Sequence, residues 1–80
     1  MIIDEPTVGI DVKTKAEIHR LMHNLTNEGK SIICITSDMQ EIIQIADRIV
    51  VFKAGKISGE LKNSKVYGEM STKIMKLIMD

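Results

Sequence analysis

Two adjacent carboxylates, Asp4 and Glu5, close the short apolar run Met1-Ile2-Ile3, and Pro6 follows at once. Proline has no N–H to give to a strand ladder, so a strand must stop there. A third carboxylate, Asp11, comes after a loop that contains Thr7, Val8 and Gly9. A strand ending in Asp-Glu delivers two acids to the carboxyl edge of a parallel sheet, where open α/β sheets bind ligands. At that edge one acid can serve a Mg²⁺ ion while its neighbour orients or deprotonates a water. The pair alone also suits a strand that ends in solvated acids, so the surrounding elements decide its meaning.

Those elements read as strand, helix, strand, helix, strand, strand, helix. Asp11 or Thr14 can cap the first helix, and Thr14 with Glu17 has capping-box spacing. Ile18, Leu21, Met22 and Leu25 recur at i, i+3, i+4 and i+7, one helical face, and Gly29 is placed to end the helix in the left-handed conformation. Ser31 to Thr36 is a β-branched run, apolar on both faces, as in a strand covered by helices on each side. Ser37 or Asp38 caps a short helix with apolar positions Met39, Ile42, Ile43 and Ala46. Arg48 to Phe52 is a strand, Ala54-Gly55 a tight turn, and Lys56 to Leu61 its antiparallel return. A polar linker, Lys62 to Lys65, leads to a last helix over Ser71 to Met79, with Met70, Ile74, Leu77 and Ile78 on its apolar face. This alternation predicts an α/β fold: parallel strands, a C-terminal antiparallel hairpin and a terminal helix.

Composition excludes several classes. With 80 residues the chain holds at most one domain, and a chain of that size buries only about 60–65% of its unfolded surface. The 11 basic residues are balanced by 11 acidic ones, which gives no general attraction to nucleic acid or to an anionic membrane. Only 2% of residues are aromatic, too few for base-stacking platforms. No apolar stretch approaches the roughly 20 residues of a membrane span, so no direct membrane insertion is expected. The one cysteine, Cys34, reads as a buried thiol inside Ile32-Ile33-Cys34-Ile35. His19 and His23 have the i, i+4 spacing of a helical metal pair, but they lie beside the apolar stripe and read as solvated helix residues.

Order and spacing of the acidic motif with its neighbours point to a family. Asp4-Glu5-Pro6-Thr7, Gly9-Ile10-Asp11-Val12 and Lys15-Ala16-Glu17-Ile18 resemble the Walker B motif, D-loop and following helix of ABC-transporter ATPases. Ile35-Thr36-Ser37-Asp38 resembles the switch loop, and Ala46-Asp47-Arg48-Ile49-Val50-Val51 with Gly55-Lys56-Ile57 resembles the strand and hairpin beyond it. The Gly-Ile-Asp-Val loop, Ser37 in place of the usual histidine, and Gly59-Glu60-Leu61 are similar to the second ATPase half of monosaccharide importers of the ribose, galactose and xylose type. Val8 departs from the arginine usual in that group. The resemblance implies a partial P-loop NTPase core, with residues 1–80 forming the C-terminal part of one ABC ATPase domain from Walker B strand to final helix.

Roles follow from the resemblance. Asp4 would hold the Mg²⁺–ATP complex, through a coordinated water, and Glu5 would polarise the attacking water as general base. Asp11 would reach across a head-to-tail dimer to link two nucleotide sites. Ser37 stands where a histidine would contact the γ-phosphate; its hydroxyl can donate a hydrogen bond but carries no charge and reaches less far, so the site is expected to hydrolyse slowly or not at all. Implied partners are the N-terminal part of the ATPase or a second ATPase domain, and transmembrane permease subunits that keep the protein peripheral on the cytoplasmic face of the membrane.

The sequence has no Gly-x-x-x-x-Gly-Lys-Ser/Thr loop, no Leu-Ser-Gly-Gly-Gln signature and no glutamine loop. Without a phosphate cradle two acids repel a triphosphate, and the 80-residue chain alone is expected not to hydrolyse ATP. The family's topology also sets a further strand between those matching Ser31–Thr36 and Arg48–Phe52. In its absence the sheet either has a gap or closes by a different pairing, with an open edge in the first case. A piece of another ABC-class ATPase, and a non-catalytic module that docks on a partner, are the alternatives.

Overall fold

The computed structural model describes residues 1–79, in the order β1 (Ile2–Asp4), α1 (Val12–Asn27), β2 (Ile33–Ile35), α2 (Met39–Ile45), β3 (Arg48–Lys53), β4 (Lys56–Lys62) and α3 (Tyr67–Met79). This is the α/β alternation expected. Asp80, the last residue of the domain expected over 1–80, lies outside the described residues. β1 and β2 form one sheet and β3 and β4 another, and among the described residues no ladder joins them. Among the described residues, closure by a different pairing, one of the two outcomes expected without an intervening strand, does not occur. The chain divides into two units, Met1–Ser37 and Asp38 onward.

In the first unit β1 and β2 run parallel, with Ile2 opposite Ile33, Ile3 opposite Cys34 and Asp4 opposite Ile35. The ladder extends past both strand ends: the N-terminal amine donates to the Ser31 carbonyl at 3.1 Å, and the Glu5 N–H to the Ile35 carbonyl at 2.6 Å. β2 is shorter than the expected Ser31–Thr36, and one face of the sheet is open. Ile2, Ile33 and Ile35 are exposed and Cys34 is half-buried rather than buried. One helix covers at most one face of a two-stranded sheet, so the two-sided burial that the apolar run predicts is not realised within this unit.

Asp11, not Thr14, caps α1. Gly29 ends the helix as expected, at φ +89°, in a Schellman arrangement: its N–H donates to the Thr26 carbonyl and that of Lys30 to the Leu25 carbonyl. Ile18, Met22 and Leu25 turn inward, as the periodicity predicts, while Leu21 is exposed. Successive helical residues are about 100° apart, so Leu21 falls beside the stripe rather than on it. His19, expected to be solvated, is half-buried, and His23 is exposed.

In the second unit Asp38 caps α2 by accepting the Glu41 N–H at 3.1 Å. Ala54 and Gly55, at φ +51° and +78°, form the two-residue turn between β3 and β4, the positive-φ pair that matches strand twist. A bulge at Ser58 breaks the register between Val51–Gly59 and Phe52–Ile57. It frees the Ser58 hydroxyl to donate to the Leu77 carbonyl near the end of α3, at 2.6 Å. Gly59 lets that helix approach: a Cβ there would stand 2.7 Å from Leu77 Cδ2. The core is Ile43, Ile49, Val51, Met70 and Ile74, with Met39, Ile42, Ala46, Leu61 and Leu77 packed against it.

α3 starts at Tyr67, four residues before the expected Ser71. Gly68 hides the first turn in the sequence, but the Met70 N–H already donates to the Val66 carbonyl. Ile78, expected on the apolar face, is exposed. Within the expected linker, Asn63 ties three segments together. Its Nδ2 donates to the carbonyls of Ile43 and Ala46, at 2.7 and 2.6 Å, and its Oδ1 accepts the Lys65 N–H at 2.9 Å. Among the described residues no helix is long and apolar enough to cross a membrane.

Candidate functional site

The Asp-Glu pair sits where the sequence places it, at the carboxyl end of β1. The two residues are held differently. Asp4 closes the strand and is exposed. Glu5 follows in the left-handed region, at φ +47°, a conformation that costs a non-glycine residue about 1–2 kcal/mol. The hydrogen bond from its N–H to the Ile35 carbonyl keeps it there. Its carbonyl accepts the Val8 N–H at 3.4 Å, and the Thr7 carbonyl accepts the Ile10 N–H at 3.2 Å, so two successive turns carry the chain away from the strand end. Gly9, at φ +74°, supplies the conformation the second turn needs at its third position. Thr7 is buried within this loop.

The backbone twist at Glu5 is matched by its side chain, which meets the loop after β2. Oε1 accepts the Ser37 backbone N–H at 2.9 Å, and Oε2 accepts the Thr36 hydroxyl at 3.3 Å. Two residues singled out from sequence, Glu5 and Ser37, are thus brought together across 32 positions of chain. The contact uses the backbone of Ser37, not the hydroxyl to which the sequence drew attention. Thr36 lies in the same Ile35-Thr36-Ser37-Asp38 segment, but the resemblance gives it no role of its own. Its signal in the sequence is a hydroxyl at the end of an otherwise apolar run, next to the serine.

Asp11 is held apart from this pair by its own helix. Its carboxylate accepts the Thr14 N–H at 2.9 Å and the Thr14 hydroxyl at 3.3 Å. Those bonds, the backbone one first, hold its carboxyl below the ordinary value of 3.8. In this structure its work is to cap α1.

Chemically, the arrangement offers one exposed carboxylate and one oriented carboxylate, side by side. Each oxygen of Glu5 accepts one bond from the β2 loop and keeps a second lone-pair direction for a water. Asp4 suits Mg²⁺, which is typically bound by one or two carboxylates, with waters and substrate phosphates filling its remaining positions. Among the described residues no three His, Cys, Asp or Glu side chains gather closely enough to share a metal ion. A cation here would therefore lean on Asp4, on waters and on ligand oxygens.

No protein-family model matches the chain. It is 51% identical over 77 residues to the ribose import ATP-binding protein of Clostridium perfringens strain 13, covering 96% of this chain and 15% of that protein. The ribose import ATP-binding protein of Oceanobacillus iheyensis is 54% identical over 61 residues, 76% of this chain and 12% of its own length. A ribose import ATP-binding protein of Rubrobacter xylanophilus is 48% identical over 60 residues, 75% of this chain and 12% of its own. The matched segments thus make up only 12–15% of the length of these relatives.

Proposed function

Because this chain belongs to the family of ATP-binding proteins of ABC-type sugar importers, we propose that it carries the metal- and water-handling acids of an ATPase site that drives carbohydrate uptake. It corresponds to the C-terminal part of one P-loop ATPase domain, and the phosphate-holding loop belongs to another part of that domain. The domain works with a second ATPase domain and with transmembrane permease subunits, on the cytoplasmic face of the membrane. Neither nucleic acid nor direct membrane insertion has a part in this reading.

The observation that carries the reading is the Glu5 carboxylate, fixed at the carboxyl end of β1 by Thr36 and Ser37. Asp4 would hold Mg²⁺–ATP, through a water, and a Mg²⁺ ion bound there would offset charge on the phosphates. Glu5 accepts a hydrogen bond from the attacking water and takes its proton. Asp11, beyond capping α1, reaches across a head-to-tail dimer with its remaining lone pairs. The Ser37 hydroxyl faces the γ-phosphate, without the charge a histidine would bring, and makes this the slower of two sites. The sugar is of the monosaccharide class named by the relatives.

The test is a chimera in which this chain replaces the matching segment of the Clostridium perfringens relative. Single-turnover ATP hydrolysis should contain a Mg²⁺-dependent part that Glu5→Gln lowers by about 10²- to 10⁴-fold. A rate unchanged by Glu5→Gln would overturn the assignment.

A further inference from the structure

The loop after β2 does more to Glu5 than the expected role of position 37 requires. Glu5 is reached from three consecutive residues: the Ile35 carbonyl takes its N–H at 2.6 Å, the Thr36 hydroxyl reaches Oε2 at 3.3 Å and the Ser37 N–H reaches Oε1 at 2.9 Å. Two of these contacts come from the main chain, which any residue at position 37 would supply. Thr36 is the only one of the three that acts through its side chain, and it is half-buried just past the strand end. With one donor on each oxygen the carboxylate plane cannot rotate freely. With only the Ser37 N–H left, it can turn about that single bond.

We propose that Thr36 is the positioning residue for Glu5, fixing the plane of the carboxylate so that its orientation does not depend on which side chain occupies position 37. The serine at 37 therefore changes what faces the phosphate and leaves the aim of the base intact. Slow turnover at this site comes from weak phosphate contact, not from a misplaced base. The proposal rests on Glu5 being the base, as argued above, and it adds a residue with a defined chemical requirement: a hydroxyl at position 36. Serine meets that requirement; valine, of nearly the same shape, does not.

Two measurements test it. In the chain itself, Glu5→Ala should move the Ser37 amide proton resonance upfield, because the bond to the carboxylate at 2.9 Å is lost. A Ser37 amide unchanged by Glu5→Ala, including one already at its random-coil position in the parent, would overturn the geometry. In the chimera, the Glu5-dependent part of the single-turnover rate should fall at least about tenfold in Thr36→Val, because a misaimed base loses its near-attack geometry. The KM for ATP should stay within about twofold, and Thr36→Ser should restore the rate. A Glu5-dependent rate unaffected by Thr36→Val would sink the positioning role and leave the base standing. A fall matched by a rise in KM, or one that Thr36→Ser fails to restore, would mark a general structural defect and refute it equally. If no part of the rate depends on Glu5, the base assignment fails instead, and the Ser37 amide shift in Glu5→Ala alone decides the contact.

Discussion

Replacing Asn63 by alanine should cost the second unit more than any surface substitution. Asn63 donates to two carbonyls at the end of α2, those of Ile43 and Ala46, and accepts from the Lys65 N–H. Helix-end carbonyls have no partner within their own helix. Each neutral bond contributes about 0.5–1.5 kcal/mol net, and an unsatisfied buried group costs about 1–3 kcal/mol. Asn63 is half-buried, so water replaces part of the loss, and about 2–3 kcal/mol remains. A chain of this length has a total stability of about 4–12 kcal/mol, so the change removes between about a sixth and three quarters of it. At about 1 kcal/mol per molar urea, the midpoint followed by far-ultraviolet circular dichroism should fall by about 2–3 M. Asn63→Asp sharpens the test. At neutral pH its carboxylate keeps the bond from Lys65 but presents charge to both carbonyls, so it should be at least as unstable as the alanine variant. Protonation below about pH 4 gives it one donor and should recover part of the loss. A midpoint shift equivalent to under about 0.5 kcal/mol, or an Asp variant as stable as the parent at neutral pH, would refute the reasoning.

Three further outcomes follow from single positions. Asp11 stabilises α1 through a carboxyl held below its ordinary value of 3.8. Its contribution is therefore present above that value and lost as pH falls through the lower, folded-state value; Asp11→Ala should lower the thermal midpoint at pH 6, and the difference from the parent should shrink as the solution is made strongly acid. Ala54 occupies a left-handed position at φ +51°, so Ala54→Asn should stabilise by about 1 kcal/mol and raise the urea midpoint. In the chimera, Ser37→His should raise ATP turnover, because imidazolium adds charge and reach toward the phosphate; a clear loss would count against the role given to Ser37.

How far the sequence reveals the structure depends on how local the determinant is. Asp38, Gly29 and the Ala54-Gly55 turn act within a few residues of themselves, and the sequence shows them directly. The start of α3 is hidden because Gly68 has low helix propensity, and the burial of Met70 overrides it. Asn63 reads as linker because its partners lie 17 and 20 residues away. The openness of β2 has a different cause: an apolar run reports what a strand is made to pack against, not what one unit supplies. At the site, residue types point to Asp4 and Glu5, and the family resemblance adds Asp11 and Ser37. They do not reveal that the Ser37 backbone, with Thr36, holds Glu5, because a main-chain donor leaves no trace in residue identity.

The proposed division of labour between two adjacent acids is tested most directly by separating binding from hydrolysis in the chimera. Mg²⁺–ATP affinity and single-turnover rate should be measured side by side in Asp4→Asn and Glu5→Gln. Loss of Mg²⁺-dependent affinity in Asp4→Asn, with affinity kept and hydrolysis lost in Glu5→Gln, is the predicted pattern. Equal effects of the two substitutions on binding, or hydrolysis that survives Glu5→Gln, would contradict it.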